Sequence, residues 1–339
     1  MVISRTPFRV SFFGGGTDYP TWYRENGGAV LSVTIDKYCY LSCRYLPPFF
    51  EHKTRLVWSR VESVQSTDEI QHPSAREVIK FLNIHNGLEI HHDGDLPARA
   101  GLGSSSAFTV GLLNALNALQ GKTSTKRQLT LDAIHVEQDL IKENVGSQDQ
   151  TAVAYGGLNF ITFDGSSSHV NVTPVIISRE RAAELEGNLM IFFTGFSRTA
   201  SEVAADWIKN TSRNEADLRA IRAMVDHGMD ILVDPGTDLT EFGNLLHEHW
   251  MLKRGLAASV STSGIDGIYE TARKAGAVGG KLLGAGAGGF ILFYVPKERQ
   301  PAVKMALAHL LHVPFHFETL GSQIVYHTHD DYAQPPQLA

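Results

Sequence analysis

The sequence predicts an α+β fold built in two halves. Strand-like runs rich in β-branched and aromatic residues crowd the first 61 positions. Helical periodicity marks 72–85, 108–119 and 129–142 and much of 202–275, and a strong strand, "GGFILFYV" (288–295), follows late. Both halves thus mix strands and helices without regular βαβ alternation, which argues against a doubly wound parallel sheet. A break at 163–188, with "DGSSSH" and "SRERAAELEG", divides the chain into domains at 1–175 and 176–330, with a polar tail at 331–339.

Taken in order, "RVSFF" (9–13), "GAVLSVTI" (28–35), "YCYLSCRYL" (38–46) and "TRLVWSRV" (54–61) read as strands separated by turn residues. "HPSAREVIKFLNIH" reads as a helix, because Ala75, Val78, Ile79 and Leu82 share one face. "LEIHHDGD" returns to strand and leads into "DLPARAGLGSSSAFTV" (95–110). Beyond that loop Phe108, Leu112, Leu116 and Leu119 repeat at helical spacing, with Ser104 to Ser106 as candidate caps. "LTLDAIHVEQDLIK" is a further helix, "GGLNFITF" a strand, and "NLMIFFTG" opens the second half as a buried strand. There is no internal repeat.

The chain has 339 residues, 43% hydrophobic and 19% charged, and a formal net charge of −6. That balance speaks against a nucleic-acid or membrane-surface partner, so any bound anion must meet a local cluster of donors. Cys39 and Cys43, the two cysteines, are four apart in a strand and read as core residues on one face. The N-terminus has no signal-peptide pattern and no apolar run approaches eighteen residues, so the expected location is the cytoplasm. His247, His249, His327 and His329 lack zinc-ligand spacing. Trp58 reads as an ordinary core or surface residue in preference to an adenine-pocket wall.

Three glycine-rich stretches compete as phosphate cradles. "GKT" at 121–123 fails as a P-loop, because Leu116 stands where that loop needs glycine. "GAGAGG" (284–289) runs into a strand, whereas a dinucleotide fingerprint must open a helix. The loop at 95–110 has the right context. Gly101 and Gly103 leave the backbone open to close approach, and Ser104 to Ser106 sit at the positive end of a helix. Two other stretches add charge: "FRVSFFGGGTDYP" (8–20) and "VEQDLIKENVGSQDQTAVAYGG" (136–157). Singly, each also reads as a turn or cap with solvated carboxylates. Together they supply an anion cradle, two carboxylates and a cation, the parts that phosphoryl transfer requires.

The ordered motifs "PFRVSFFGGGTDY", "PARAGLGSSSAF" and "KLLGAGAGGF" resemble the GHMP kinases over roughly residues 5–330. "SRVESVQSTDEIQHPSARE" and "VGSQDQTAVAYGG" further resemble the branch acting on D-glycero-D-manno-heptose 7-phosphate. The resemblance implies a ribosomal-protein-S5-like N-terminal nucleotide domain and a ferredoxin-like α+β C-terminal domain. It implies ATP and Mg²⁺ as cofactors, a small sugar phosphate as acceptor, a role in nucleotide-activated heptose synthesis for capsule or other surface polysaccharide, and a homodimer as one possible assembly.

Residue by residue, the resemblance implies that Gly101, Leu102, Gly103, Ser104, Ser105 and Ser106 wrap the ATP phosphates. Ser105 and Glu137 would ligate Mg²⁺, Asp149 would deprotonate the sugar hydroxyl, and Arg9 would offset charge beside it. Asp18 and Tyr19, with Gly15, Gly16 and Gly286, would meet the acceptor. Gly15 and Gly16 replace a Glu-His pair of galactokinases, which implies a wider sugar pocket. Arg198, at an apparent helix start in "TGFSRTASEVAADWI", is the candidate for the acceptor's own phosphate, with Lys37 next. Another sugar 1-kinase, of fucose or galactose type, is the alternative reading, and a non-catalytic sugar sensor a remoter one.

Overall fold

The computed structural model describes residues 1–47, 49–98, 100–165, 170–195 and 213–329. The α+β expectation holds, in two sheets with helices packed between and behind them. The larger sheet is organised around β2 (Gly28–Tyr45), which is long enough to pair with β1 (Val2–Phe13) on one side and, on the other, with two strands besides a short one near the C-terminus. The two are β5 (Leu88–Gly94), opposite residues 39–45, and β6 (Leu158–Phe163), opposite 28–33. A hairpin, β3 (Thr54–Val57) and β4 (Val61–Val64), continues the sheet beyond β5, and β7 (Val170–Pro174) pairs with β6.

Three expectations change here. The strands read at 28–35 and 38–46 are one strand, because Asp36 and Lys37 are accommodated as an irregularity between the Phe8–Ile35 and Pro7–Tyr38 pairs. The run 54–61 is two strands folded on a turn at Trp58, whose amide bonds the Arg60 carbonyl at 2.8 Å. The stretch read as a break carries β7 and a helix, α6 (Arg179–Gly187), capped by Ser178. Cys39 and Cys43 lie buried on β2 as expected.

The first-half helices are α1 (Pro20–Asn26), α2 (Pro73–Phe81), α3 (Ser104–Leu119), α4 (Lys126–Ile134) and α5 (Gln148–Tyr155). The second sheet is antiparallel, in the order β11 (Leu311–Val313), β8 (Leu189–Phe193), β10 (Phe290–Tyr294), β9 (Gly279–Leu282). With it come α7 (Glu215–Val233), α8 (Thr240–Gly255), α9 (Ser263–Ala275) and α10 (Gln300–Ala306). The chain then returns to the first sheet: β12 (Phe317–Glu318) pairs with β2, and β13 (Gln323–His327) with β1. A cut at 175 therefore leaves two strands of the first sheet in the second segment.

One core spans both halves. Phe12 and Phe13, at the end of β1, meet Phe242 of α8 edge to face at 5.1 and 5.0 Å. Such pairs add about 0.5–1.5 kcal/mol each beyond their buried area. This contact holds α8 over the C-terminal end of β1, where the glycine turn begins. A second core, with Trp250, Tyr269 and Phe293, backs the smaller sheet.

Candidate active site

The separated motifs converge on one cleft. Its wall includes Arg9, Asp18, Gly103, Asp149, Lys253 and Lys281, drawn from both halves of the chain. Backbone contacts bring the motifs together. A Cβ on Gly101 (φ +85°) would stand 2.4 Å from the Leu283 carbonyl oxygen, and one on Gly284 (φ +73°) 2.4 Å from the Gly101 Cα. The two glycine loops touch main chain to main chain, which no side chain would permit. The Arg9 amide donates to the Leu102 carbonyl at 3.0 Å, and the Ser147 amide to the Asp18 carbonyl at 2.9 Å.

Helix α3 starts at Ser104, and its N-cap is Gly103 in the left-handed region (φ 74°), with no side-chain cap bond. The serines read as caps are thus the first turn itself. Gly103, Ser104, Ser105 and Ser106 face the cleft, as does Gly101. Leu102 is buried and contributes its carbonyl. The cleft therefore ends on a helix N-terminus with hydroxyls around it, a setting that favours an anion.

Beside that turn Arg9 grips Asp149: Nε donates to Oδ1 at 2.8 Å and Nη2 to Oδ2 at 2.7 Å. Nη1 donates to the Gly101 carbonyl at 2.7 Å, so one guanidinium ties the carboxylate to the glycine loop. Asp149 stays 27% exposed at its side chain while Arg9 is buried. Asp149 belongs to the first turn of α5, where the helix dipole favours a carboxylate.

Asp18 is 1% exposed. Its Oδ1 accepts from the Gly16 amide at 2.9 Å and its Oδ2 from the Gln148 amide at 3.4 Å. Burial pushes its carboxyl up to about 6, with the Asp149 charge adding to the rise and the amide bonds opposing it. Gly15, Gly16 and Tyr19 line the same end of the cleft.

Glu137 lies on a turn of π-helix (His135–Leu140) that continues α4. It is 0% exposed, and the Ser106 hydroxyl donates to its Oε2 at 2.9 Å. Gln150 donates to the same oxygen, leaving Oε1 buried without a partner. Burial pushes this carboxyl up to about 7. The serine that reaches Glu137 is Ser106; Ser105, expected beside it, is exposed at the cleft.

Among the described residues, Leu102, Glu137, Gly286 and Lys37 are not on the cleft wall. Gly286 packs against the main chain of Val260, where a Cβ would come within 2.8 Å of the Cα. Arg198 lies outside the described residues. Lys37 pairs with Asp36 at 3.0 Å in the β2 irregularity. Trp58 is half-buried, with Nε1 donating to Glu62 at 2.8 Å. Sequence reading missed Lys253 and Lys281. Lys281 is the lysine of the quoted "KLLGAGAGGF", so its signal was present; Lys253, at a helix end, reads as an ordinary solvated charge.

The GHMP kinases N terminal domain model matches residues 73–157, and the GHMP kinases C terminal model matches 229–311. The chain is 28% identical over 316 residues to the D-glycero-alpha-D-manno-heptose 7-phosphate kinase of Campylobacter jejuni, covering 89% of this chain and 91% of that one. It is 26% identical over 325 residues to the bifunctional fucokinase/GDP-fucose pyrophosphorylase of Arabidopsis thaliana, covering 88% of this chain but 30% of that larger protein. A solved D-glycero-D-manno-heptose 1-phosphate kinase from Bacteroides thetaiotaomicron has the same fold, with a TM-score of 0.79 at 23% identity, covering 97% of this chain and 100% of that one. With both domain models matched in order and their glycine loops in main-chain contact, the chain belongs to the GHMP kinase family and is an ATP-dependent sugar kinase.

Proposed function

We propose that this kinase transfers the γ-phosphoryl group of ATP to the anomeric O1 of D-glycero-D-manno-heptose 7-phosphate, giving the 1,7-bisphosphate. The observation that carries the reading is the position of Asp149, held by Arg9 and open to the cleft beside the first turn of α3. A Cβ on Gly103 would stand 3.5 Å from Asp149 Oδ2, so the carboxylate borders the phosphate cradle. Asp149 takes the O1 proton as the O1–P bond forms and the bond to the ADP oxygen breaks. An anomeric hydroxyl is more acidic than an ordinary alcohol, which suits a carboxylate base. Arg9 offsets the charge that gathers on the phosphoryl group, and the α3 first turn holds the ATP phosphates. Asp18 accepts from sugar hydroxyls, and Gly15 and Gly16 leave room for a seven-carbon acceptor.

The residues fit magnesium. Mg²⁺ takes hard oxygen ligands and is held by few protein groups together with substrate phosphates. Glu137 Oε1 is such an oxygen, buried without a partner, and the Ser106 hydroxyl bonds the other oxygen of the same carboxylate. Glu137 with Ser105 or Ser106 would hold the ion, which when bound neutralises phosphate charge. The product suits nucleotide-activated heptose synthesis for capsule or other surface polysaccharide, and the setting proposed is the cytoplasm. Among the described residues no helix is long and apolar enough to cross a membrane.

The fucokinase relative favours a second reading, a sugar 1-kinase for a hexose. ADP release across heptose 7-phosphate, heptose, fucose and galactose separates the two. The proposal expects the highest kcat/KM with heptose 7-phosphate; preference for an unphosphorylated hexose overturns it.

A further inference from the structure

Two lysines of the cleft have no part in the chemistry above. Lys253, in the last turn of α8, is 7% exposed, and Lys281, on β9, is 1% exposed. Among the described residues neither has a carboxylate within ion-pair distance. Their ammonium groups bond main-chain carbonyls instead: Lys281 to Phe12 at 2.7 Å, and Lys253 to Leu282 at 3.2 Å and to Gly284. An ammonium carries three donors, so these bonds leave two on Lys281 and one on Lys253. His249, one turn before Lys253, offers no compensating anion; it is buried with neither ring nitrogen partnered.

A buried cation without a counter-charge is costly, and apolar side chains of similar volume usually serve a core better. A single lysine could clamp loops by its carbonyl bonds. Two side by side in the wall of a binding cleft form a cationic floor. The ATP phosphates already have a seat at the α3 first turn. Lys281 lies instead at the carbonyl of Phe12, just before the Gly14–Gly16 turn that opens toward Asp18.

We propose that Lys253 and Lys281 bind the phosphate ester of the acceptor, and so select a sugar phosphate over its unphosphorylated form. This rests on the heptose 7-phosphate reading and moves to the described cleft the role that sequence gave Arg198. The electrostatics agree with the placement. Burial, helped by the Arg9 charge, holds the Lys253 ammonium down to about 8, and Lys281 lies well below its ordinary value. A bound dianion would favour the charged form of both groups; Asp18 and Asp149 are the carboxylates near Lys253, and Asp18 the one near Lys281.

The test compares wild type with Lys281→Met, Lys253→Met and Arg198→Ala, each checked for folding by circular dichroism. The two lysine changes are independent, so one remains if the other misfolds. The readout is the ratio of kcat/KM for heptose 7-phosphate to that for heptose. It should fall at least tenfold in each lysine variant, more than in Arg198→Ala, with KM for ATP within threefold of wild type. Equal losses on both sugars, or a raised KM for ATP at an unchanged ratio, overturn the proposal. Inorganic phosphate without ATP gives a reading free of turnover: it should raise the melting temperature of wild type and not of the lysine variants. If wild type fails to phosphorylate heptose 7-phosphate, the functional reading falls on its own. The lysine site then stands if the variants lose phosphate protection and falls if they keep it.

Discussion

Arg9 and Asp149 form a two-bond fork across 140 positions of sequence, Nε to Oδ1 at 2.8 Å and Nη2 to Oδ2 at 2.7 Å. The geometry leaves the outward lone pairs of the carboxylate to the cleft while the guanidinium fixes its plane. Orientation of a base is then a property of the fold before any substrate enters.

Asp149→Asn should lower kcat by about 10²–10⁴, the scale of general-base loss, and leave ATP binding intact. Arg9→Lys keeps the charge but loses the fork and the bond to Gly101, so kcat should fall by about 10²-fold through misplacement. Steady-state kinetics with calorimetric ATP titration reads both. If Asp149→Asn abolishes ATP binding instead, Asp149 is a structural group.

Glu137→Gln removes a buried charge and keeps the shape. Burial already pushes that carboxyl up to about 7, and Oε1 has no partner. The variant should therefore melt no lower than wild type while losing most turnover. Activity within a few-fold of wild type at saturating Mg²⁺ would reduce Glu137 to a support for Ser106.

Asp18 gives a pH signature. Its folded value, about 6, lies above the ordinary aspartate value of 3.8. Protonation therefore favours the folded state, and the group's contribution is full below about 4 and lost as pH rises through about 6. The shift corresponds to about 3 kcal/mol missing at neutral pH. Asp18→Asn removes the titrating charge but turns an NH2 toward one of the two amides, so it should flatten the pH dependence of the melting temperature between pH 4 and 6 while raising the acceptor KM at least tenfold. Parallel melting profiles for the two proteins would remove Asp18 as the titrating group.

The motifs were legible because each carries its own local chemistry: glycines before a helix, a carboxylate at a helix start, an arginine on a strand. Helix α2 was legible for the same kind of reason, since Ala75, Val78 and Ile79 fall on one buried face. What escaped depends on partners far away in sequence. The continuity of β2 is fixed by pairing with Pro7 and Phe8, so Asp36 and Lys37 looked like a turn. The return of β12 and β13 to the first sheet has no local mark, because short strands pair by position. Lys253 becomes a buried cleft residue only when α8 packs over β1 through Phe242 and Phe12. The hydroxyl nearest Glu137 turned on helical phase, which the π-helix alters by widening the turn that carries the carboxylate.

The glycines of the cleft separate space kept for the acceptor from space needed by the backbone. At Gly15 a Cβ would lie 3.6 Å from Gln148 Nε2 and 3.9 Å from Ser11 Oγ, ordinary contact at a φ outside the left-handed region. Gly15→Ala should fold with an unchanged melting temperature. At Gly101 the same addition meets the Leu283 carbonyl at 2.4 Å with φ +85°. Gly101→Ala should cost about 1–2 kcal/mol from backbone conformation alone, part the two glycine loops, and weaken ATP binding. Gly15→Glu then tests the wide-pocket reading. It should fold, bind ATP normally, and lower kcat/KM for heptose 7-phosphate at least tenfold more than for galactose, because the added carboxylate occupies acceptor volume. An unchanged preference between the two sugars would show that the opening at Gly15 is not where the larger sugar lies.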